Sequence, residues 1–472
     1  ARLTPSKFEL DRLASGNNIP LADTSDIPVK STPERLAFQK LVLSRMTPAR
    51  STPDKFECVN DASDKSENSE AESTLAISAN NADLTVPEGF GVIKVADSLG
   101  AARHIAVTKE GGIYVKLNQL KDGKGIVYLQ DTDRDGVADS TTTFADYGGT
   151  GIYLTDNNLY ATSDQEIFRY KLDADQKVTN PESPDTIVTG LINRRQHASK
   201  SITLDGAGNI YVNIGAYSNA CQVQSRTPGS PGMQPCPILD SAGGIWRFNA
   251  DRLKQTYGDG TRYATGLRNV VGLDWNTQND KLFVMQHGRD QLHTLFPDLY
   301  DEKTSAVLPA ETMYMLNEGD DAGWPYIYYD QQKEEKILAP EYGGDGEKTG
   351  GEDANDPVAA FPGHMAPNAL LFYTGDMFPE RYKNGAFIAF HGSWNRAPEP
   401  QEGFMVAFVP FENGKPSGEY EVFADGFAGM ERVESPGDAA HRPTGLAQGP
   451  DGSLYVSDDT GGTIYRIVYN QK

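Results

Sequence analysis

One short segment carries several closely spaced carboxylates. The segment DTDRDGVAD begins at Asp131, places Asp133 and Asp135 at alternate positions, and continues with Gly136 and Asp139. Alternating carboxylates can converge on one hard cation, and glycine permits the sharp bend between them, as in the first half of an EF-hand-type loop. The distal glutamate and the flanking helices of an EF-hand are missing. We predict a structural Ca²⁺ bound by the four aspartates; the alternative is a solvated acidic hairpin tip.

Two of the three cysteines lie at the ends of one loop. Cys221 and Cys236 bracket the Pro/Gly-rich segment QVQSRTPGSPGMQP, whereas Cys58 has no obvious mate. Two cysteines that close one loop predict a disulfide, which implies an oxidising compartment and a periplasmic or secreted protein. The alternative is a pair of free thiols. The chain contains no C-x-x-C-H motif, so no covalently attached haem is expected.

Repeated short strands must position these groups. From residue 85 onward a polar turn followed by an alternating strand recurs six times. The copies are KEGGIYVKL (109–117), TDNNLYATS (155–163), GAGNIYVNI (206–214), TQNDKLFVM (277–285), RYKNGAFIAF (381–390) and GPDGSLYVS (449–457). Repeats of this kind predict an all-β fold, a six-bladed β-propeller over residues 85–472, with long insertions at 215–245 and 287–380. A single twisted sandwich is the alternative.

Residues 1–84 differ in composition from the rest of the chain. They are rich in Ser, Asp, Asn and Pro, and residues 60–74 have almost no apolar content. Such a segment cannot offset the entropy cost of ordering, so a largely irregular N-terminal extension is expected. A short amphipathic helix is predicted within it at 33–46.

Overall composition excludes several classes of partner. The net charge is −23, so a nucleic-acid partner is not expected. No stretch reaches the roughly 20 apolar residues of a membrane span. No signal peptide is visible, and the first residue is Ala1 rather than Met, which is consistent with a leader already removed.

Four motifs in order resemble the soluble quinoprotein dehydrogenases, which oxidise glucose, aldoses or sorbosone with pyrroloquinoline quinone (PQQ). They are VPEGFGVIKVADSLGAARHIAV (86–107), YATGLRNVVGLDW (263–275), QHGRDQL (286–292) with DDAGWPY (320–326), and HRPTGLAQGPDGSLYVSDD (441–459). The sorbosone-dehydrogenase-like branch is the most similar. The resemblance implies hydride transfer from a sugar or other alcohol to PQQ, with a histidine base and an external electron acceptor. It leaves the oligomeric state open.

The resemblance makes His197 the general base, because it lies before the third repeat where the family has its catalytic histidine. Without that resemblance, an exposed loop histidine would be the simpler interpretation. The family's acidic partner for this histidine falls at Ala216, which is a departure from the pattern. Asn219 is a candidate substrate residue.

The resemblance also assigns residues to the cofactor. Because PQQ carries three carboxylates, its pocket needs fixed cations, and arginine binds carboxylates with two parallel hydrogen bonds. Arg268, Asn269 and Arg442 match family positions, whereas the family's second arginine of the last blade is Thr444 here. The remaining candidates are Arg396, Trp394 as a cover for the ring, and Arg103. For each arginine the alternative is a surface ion pair.

A catalytic Ca²⁺ is implied at the backbone carbonyls of Gly288 and Arg289, where it would polarise the quinone. Two other functions stay open. One is a calcium-dependent lactonase, which is disfavoured because its metal ligands are central Asp, Asn and Glu side chains, whereas this chain has arginines in the cofactor positions. The other is a non-catalytic binding module, which the departures at Ala216 and Thr444 favour.

Overall fold

The six predicted strand segments form equivalent parts of one architecture. The computed structural model describes residues 75–470. Each predicted segment overlaps the second strand of a four-stranded antiparallel arrangement. In chain order these second strands are Ile113–Lys121, Asn158–Thr162, Asn209–Ile214, Lys281–Gln286, Ala386–Phe390 and Leu454–Asp458. Ala386–Phe390 and Leu454–Asp458 are buried at every position, because each sheet packs between two others. This double burial explains their continuous apolar character.

Six such sheets form the blades, and each blade runs outward from its first strand. Blade 1 consists of Ala102–Val107, Ile113–Lys121, Lys124–Gln130 and Ser140–Phe144. Blade 2 consists of Ile152–Leu154, Asn158–Thr162, Ile167–Lys171 and Asp185–Thr189, with Gln255–Thr256 added in parallel. Blade 3 consists of Ile202–Leu204, Asn209–Ile214, Gly244–Asn249 and Thr261–Thr265, with Asp320–Asp321 added in parallel.

The second half of the chain repeats the pattern. Blade 4 consists of Val270–Asn276, Lys281–Gln286, Glu311–Leu316 and Ala359–Phe361. Blade 5 consists of Pro367–Phe372, Ala386–Phe390, Met405–Val409 and Glu421–Ala424. Blade 6 consists of Pro443–Gln448, Leu454–Asp458, Ile464–Tyr469 and, from the other end of the propeller sequence, Phe90–Ala96.

Blade 6 closes the ring with strands distant in sequence. Phe90–Ala96 pairs antiparallel with Ile464–Tyr469, with Phe90 opposite Tyr469. Because the ring is closed, every blade packs between two neighbours. Phe90 packs edge-on against Phe378 and Phe423 of blade 5, at ring-centroid distances of 4.8 and 5.1 Å. The predicted six-bladed β-propeller is confirmed.

The first strands surround a central channel. A cavity of about 470 Å³ lies between them. Residues from all six first strands line it, including Ile105, Leu154, Ile202, Leu273, Leu370 and Leu446. In a blade that runs as a meander, the start of the first strand and the end of the second strand lie at the same end. The loops at this end therefore meet around one mouth of the channel, which we call the upper face.

Elements outside the blades are short. The helices are Leu292–Leu295 and Glu302–Val307, and the 3₁₀ turns are Ala79–Asp83, Pro237–Asp240, Tyr257–Asp259, Pro340–Tyr342, Glu380–Tyr382 and Pro436–Asp438. Two small hairpins pair Ile327–Asp330 with Glu335–Leu338 and Phe411–Glu412 with Lys415–Pro416. Among residues 75–470 no helix is long and apolar enough to cross a membrane.

The extension at 1–84 is described only from residue 75. There Ala76 N donates to the Asp135 carbonyl at 2.8 Å and Ser78 N donates to the Val92 carbonyl at 2.8 Å. The helix predicted at 33–46 and the irregular segment at 60–74 lie outside the described residues. The domain boundary placed at residue 84 stays a prediction.

The predicted disulfide is present. Cys221 and Cys236 are bonded and close the loop between the second and third strands of blade 3. Both residues are buried against the hydrophobic core of that blade. The loop therefore lies on the upper face as a fixed structure rather than a free insertion.

Candidate functional site

Four predicted residues reach the upper face from the starts of four different blades. His197 lies on the segment that leads into the first strand of blade 3, and Arg268 lies on the segment that leads into blade 4. Arg442 directly precedes the first strand of blade 6, and Arg103 is the second residue of the first strand of blade 1. Equivalent starting positions of the first strands bring these side chains to the same end of the channel.

Arg268 is the centre of a buried polar cluster. Its guanidinium donates to Asp290 Oδ2 at 2.7 Å, to Asn219 Oδ1 at 3.1 Å and to the Gly288 carbonyl at 2.9 Å. Burial alone would raise the pKa of the Asp290 carboxyl, but Arg268, His364 and Arg226 hold it well below its usual range. Asp290 is therefore ionised, and it compensates the buried charge of Arg268.

Asn219 belongs to the same cluster and is fully buried. Its Oδ1 accepts from Arg268 and from the Asp290 N–H at 2.8 Å, and its Nδ2 donates to the Asp290 carbonyl at 2.9 Å. These contacts fix Asn219 as a support for Arg268. The geometry lends no support to the direct substrate contact predicted for Asn219.

His197 is oriented by a backbone group. Its Nδ1 lies 2.5 Å from the Ala216 carbonyl oxygen. A carbonyl only accepts hydrogen bonds, so Nδ1 carries the proton and Nε2 keeps its lone pair. The main chain of residue 216 thus orients the His197 ring, at the position where the resemblance places an acidic side chain. Burial and the charge of Arg268 lower the pKa of His197 to about 3.

Arg442 and Arg103 belong to a second network across the channel. Arg442 Nη2 donates to His391 Nδ1 at 2.9 Å, and His391 Nε2 contacts Asp459 Oδ1 at 2.9 Å. Arg103 Nη1 lies 3.3 Å from the other oxygen of Asp459. One carboxylate therefore holds two cationic side chains, with a neutral imidazole between it and Arg442. Burial lowers the pKa of His391, which keeps that ring uncharged.

Thr444 lies next to this network, at the position where the resemblance expects a second arginine. Its side chain is buried, and its hydroxyl donates to the Ala102 carbonyl at 3.2 Å, next to Arg103. The position that lacks a cation is thus adjacent to Arg103 in space, although the two are far apart in sequence.

Asn269 lies between the two networks. Its Nδ2 is 3.5 Å from His287 Nδ1, and its Oδ1 has no hydrogen-bond partner among residues 75–470. His287 Nε2 bonds the Pro367 carbonyl at 3.1 Å, and burial lowers the pKa of His287 to about 4. Asn269 therefore offers an unfilled polar group beside His287.

Gly288 and Arg289 follow the second strand of blade 4. Glu311 Oε2 accepts from the Gly288 N–H at 2.9 Å and so fixes the loop; burial raises the pKa of Glu311 to about 7. The Arg289 side chain turns away to pair with the fully buried Glu341 at 2.5 Å. Only the backbone of Arg289 is thus free to take the calcium-binding role predicted for this pair.

The loop after the second strand of blade 5 carries Arg396, Asn395 and Trp394. Arg396 donates to the Ala306 and Pro400 carbonyls and pairs with Glu402, so its guanidinium holds the loop. The neighbouring Asn395 reaches the site instead, and its Nδ2 donates to Asp290 Oδ1 at 3.0 Å. Trp394 between them is 60% exposed.

Sequence reasoning missed the groups that organise the site. Asp290, His391, Asn395 and Asp459 each bridge residues from different blades. Asp290 stands inside the G-R-D motif and Asp459 inside the last-blade motif, so both were visible as motif members. Nothing in the local pattern showed which arginine each carboxylate would meet.

The acidic loop of blade 1 lies away from these networks. Carboxylate oxygens of Asp131, Asp133 and Asp139 lie within 4.8 Å of one another. Asp131 Oδ1 is buried and has no hydrogen-bond partner in the described part of the chain. Asp135 is not in the group, and its side chain accepts from the Val137 N–H at 2.7 Å. Three of the four predicted ligands are thus brought together.

Calcium is expected to raise the melting temperature of the full chain, because binding to the folded state alone stabilises it by about 2.7 kcal/mol at 100 times Kd. Scanning calorimetry with Ca²⁺ and with a chelator measures the shift. Asp133→Ala should reduce it, whereas Glu182→Ala, a change at an exposed acid pairing with Lys124, should not. A shift that Asp133→Ala leaves intact would show that Ca²⁺ acts elsewhere.

Comparisons with known proteins agree with this architecture. A pyrroloquinoline quinone-dependent sugar dehydrogenase from Hypocrea jecorina is 24% identical over 419 residues, covering 82% of this chain and 90% of that protein. A pyrroloquinoline quinone-dependent pyranose dehydrogenase from Coprinopsis cinerea is 25% identical over 431 residues, covering 81% of this chain and 54% of that protein.

Solved structures show the same fold. A Trichoderma reesei protein of carbohydrate-active enzymes family AA12 gives a TM-score of 0.67 at 19% identity, covering 84% of this chain and all of that one. The holo form of the pyranose dehydrogenase PQQ domain from Coprinopsis cinerea gives a TM-score of 0.62 at 20% identity, covering 82% of this chain and 97% of that one. The resemblance seen in the sequence is confirmed, without specifying the sorbosone-like branch. Residues 84–470 match the TrAA12-like family, and the chain belongs to that family.

Proposed function

We propose that this protein is a PQQ-dependent sugar dehydrogenase that oxidises a hydroxyl-bearing carbon of a sugar or related alcohol. The observation that carries the proposal is the neutral His197 beside the buried Arg268 at the mouth of the channel, with Nδ1 bonded to the Ala216 carbonyl. A positioned imidazole with a free Nε2 is suited to accept a hydroxyl proton.

The cationic groups of the upper face fit a carboxylate-rich cofactor. Arg103 Nε and Arg268 Nε are buried donors without a hydrogen-bond partner among residues 75–470. Unfilled guanidinium donors next to a solvent-facing channel mouth favour an anionic ligand. Arg103, Arg268 and Arg442 would hold PQQ through its carboxylates, with Asn269 as a further polar contact. Bound PQQ supplies the quinone that accepts the hydride.

Anion binding would also improve His197 as a base. Arg268 is one of the causes that lower the pKa of His197, after burial itself. A carboxylate beside Arg268 would offset that charge and shift the pKa of His197 upward, toward the range in which proton transfer is efficient near neutral pH. The base and the cofactor site are therefore coupled through Arg268.

Calcium is the second proposed cofactor. The Gly288 carbonyl accepts from Arg268 at 2.9 Å, and a carbonyl oxygen has a second lone pair. We propose that the main-chain oxygens of Gly288 and Arg289 contribute to a Ca²⁺ site next to PQQ. Trp394, exposed beside Asn395, would cover the cofactor ring.

The relatives support a sugar as the substrate. The Hypocrea jecorina protein is a sugar dehydrogenase and the Coprinopsis cinerea protein is a pyranose dehydrogenase. An external acceptor would reoxidise the cofactor. The disulfide favours an oxidising compartment, so we propose a periplasmic or secreted protein.

Reconstitution of the full chain tests the function. The chain is incubated with PQQ and Ca²⁺, separated from free cofactor by gel filtration, and its absorbance is recorded. The expected result is retained PQQ, followed by reduction of a redox dye in the presence of at least one sugar. Loss of all PQQ on gel filtration, or retained PQQ with no dye reduction across sugars and alcohols, would contradict the proposal.

A further inference from the structure

Arg226 is a second arginine on the carboxylate that holds Arg268. It lies inside the loop closed by Cys221 and Cys236. Its Nη2 contacts Asp290 Oδ2 at 2.8 Å, and its Nη1 donates to Gln291 Oε1 at 2.6 Å. Because Arg268 contacts the same oxygen at 2.7 Å, the disulfide-closed loop of blade 3 is tied to the arginine of the candidate cofactor site.

The two arginines differ in accessibility. The Arg268 side chain is 4% exposed, whereas the Arg226 side chain is 31% exposed. The other carboxylate oxygen of Asp290, Oδ1, accepts a hydrogen bond from Asn395. The two guanidinium groups and the one carboxylate together carry one net positive charge. Arg226 is the arginine of this pair that solvent and ligands can reach.

The main chain is constrained at both ends of this contact. Arg226 has φ +56° and Gln291 has φ +67°, both in the left-handed region that non-glycine residues rarely adopt. Such conformations persist only where the surroundings over-determine them, and they concentrate at ligand sites. The Arg226 N–H is held by Gln222 Oε1 at 2.8 Å, so the loop itself fixes the strained residue.

We propose that Arg226 is a further anion-binding residue of the site, with Asp290 as the residue that positions it beside Arg268. Its ligand would be a carboxylate group of a polycarboxylate, which is PQQ if the proposed function holds. The inference thus rests on the proposed function for the identity of the anion, but not for the existence of the anion site.

Binding titrations without turnover test this. PQQ and citrate are titrated separately against the full apo chain, followed by fluorescence quenching for PQQ and by thermal shift for citrate. Arg226→Gln should weaken binding about tenfold, the lower end of what one lost charge-assisted contact costs. Arg226→Lys should recover part of it. Arg252→Gln removes an exposed arginine paired to Asp259 at the same 2.8 Å and should leave binding unchanged.

The part played by Asp290 is tested by a double-mutant cycle. In an Asp290→Asn chain, Arg226→Gln should cost much less than in the unchanged chain, since Arg226 is no longer held. Equal costs in both backgrounds would overturn the positioning role. Melting curves confirm that each variant folds, and Asp290→Ala repeats the cycle if Asp290→Asn is unstable.

The outcomes separate this inference from the proposed function. If the unchanged chain binds PQQ and Arg226→Gln binds it equally well, the anion-binding role of Arg226 is wrong while the function stands. If PQQ does not bind but citrate binds in an Arg226-dependent way, the anion site stands and the proposed function fails. If neither anion binds, both are overturned.

Discussion

A chain carrying His197→Ala is expected to bind PQQ as the unchanged chain does, but to oxidise its best sugar about 10²–10⁴ times more slowly. The imidazole is fixed by the Ala216 carbonyl, so its Nε2 is the atom left for a substrate proton. Removing the ring deletes that acceptor but leaves Arg268 and its contacts to Asp290 and Asn219 intact. Dye-reduction kinetics at saturating sugar give the change in kcat, and gel filtration gives retained PQQ.

A second histidine provides the control. His293 lies in the helix Leu292–Leu295, where its Nδ1 bonds the Tyr300 carbonyl at 2.8 Å. His293→Ala should retain near-normal turnover. Near-normal turnover in His197→Ala would show that another group takes the proton. Equal loss of PQQ and turnover in His197→Ala would instead give this residue a structural part only.

The repeated strands were predictable because their causes are local. Each second strand alternates or runs apolar between Gly-, Asn- or Asp-containing turns, and hairpin formation depends on just those residues. Lys281–Gln286 and Leu454–Asp458 show this clearly, since both follow such turns. Closure of blade 6 by Phe90–Ala96 was not visible in the same way. It depends on pairing across the whole propeller sequence, which no local pattern encodes.

The site was predictable only in part. Motif matching led to His197, Arg268, Arg103 and Arg442, and the fold brings all four to the upper face. What orients them is non-local. His197 bonds a main-chain carbonyl, and every residue has one, so the sequence carries no signal for the partner.

Loop conformation decides which side chain of blade 5 faces the site. The cofactor contact of Arg396 stays a prediction, and its loop folds back so that its guanidinium bonds the Ala306 and Pro400 carbonyls. The side chain one position earlier, Asn395, faces Asp290 instead. A shift of one residue in an irregular loop redirects a side chain completely, and residue type alone does not fix that direction.

Arg268→Ala should show the opposite pattern to His197→Ala. This variant should bind PQQ more weakly than the unchanged chain, because the change removes a buried cation whose Nε has no hydrogen-bond partner among residues 75–470. Stability should fall as well. Asp290 loses its 2.7 Å contact to Arg268 but keeps Arg226 and Asn395. Removing one partner of a buried ion pair costs about 3–5 kcal/mol where the other charge is left unpaired, so we expect a loss below that range. Denaturant unfolding of the apo chain measures this cost, and PQQ titration measures affinity.

Arg169 separates the two effects. It pairs with Asp185 at 2.9 Å and Asp251 at 3.3 Å, its side chain is 14% exposed, and it lies on the third strand of blade 2, away from the upper-face networks. Arg169→Ala should therefore lower stability without weakening PQQ binding. Arg268→Lys, which keeps the charge but not the planar fork, should bind PQQ with intermediate affinity. If Arg268→Ala and Arg169→Ala weaken PQQ binding equally, the loss follows from destabilisation, and Arg268 is not a cofactor contact.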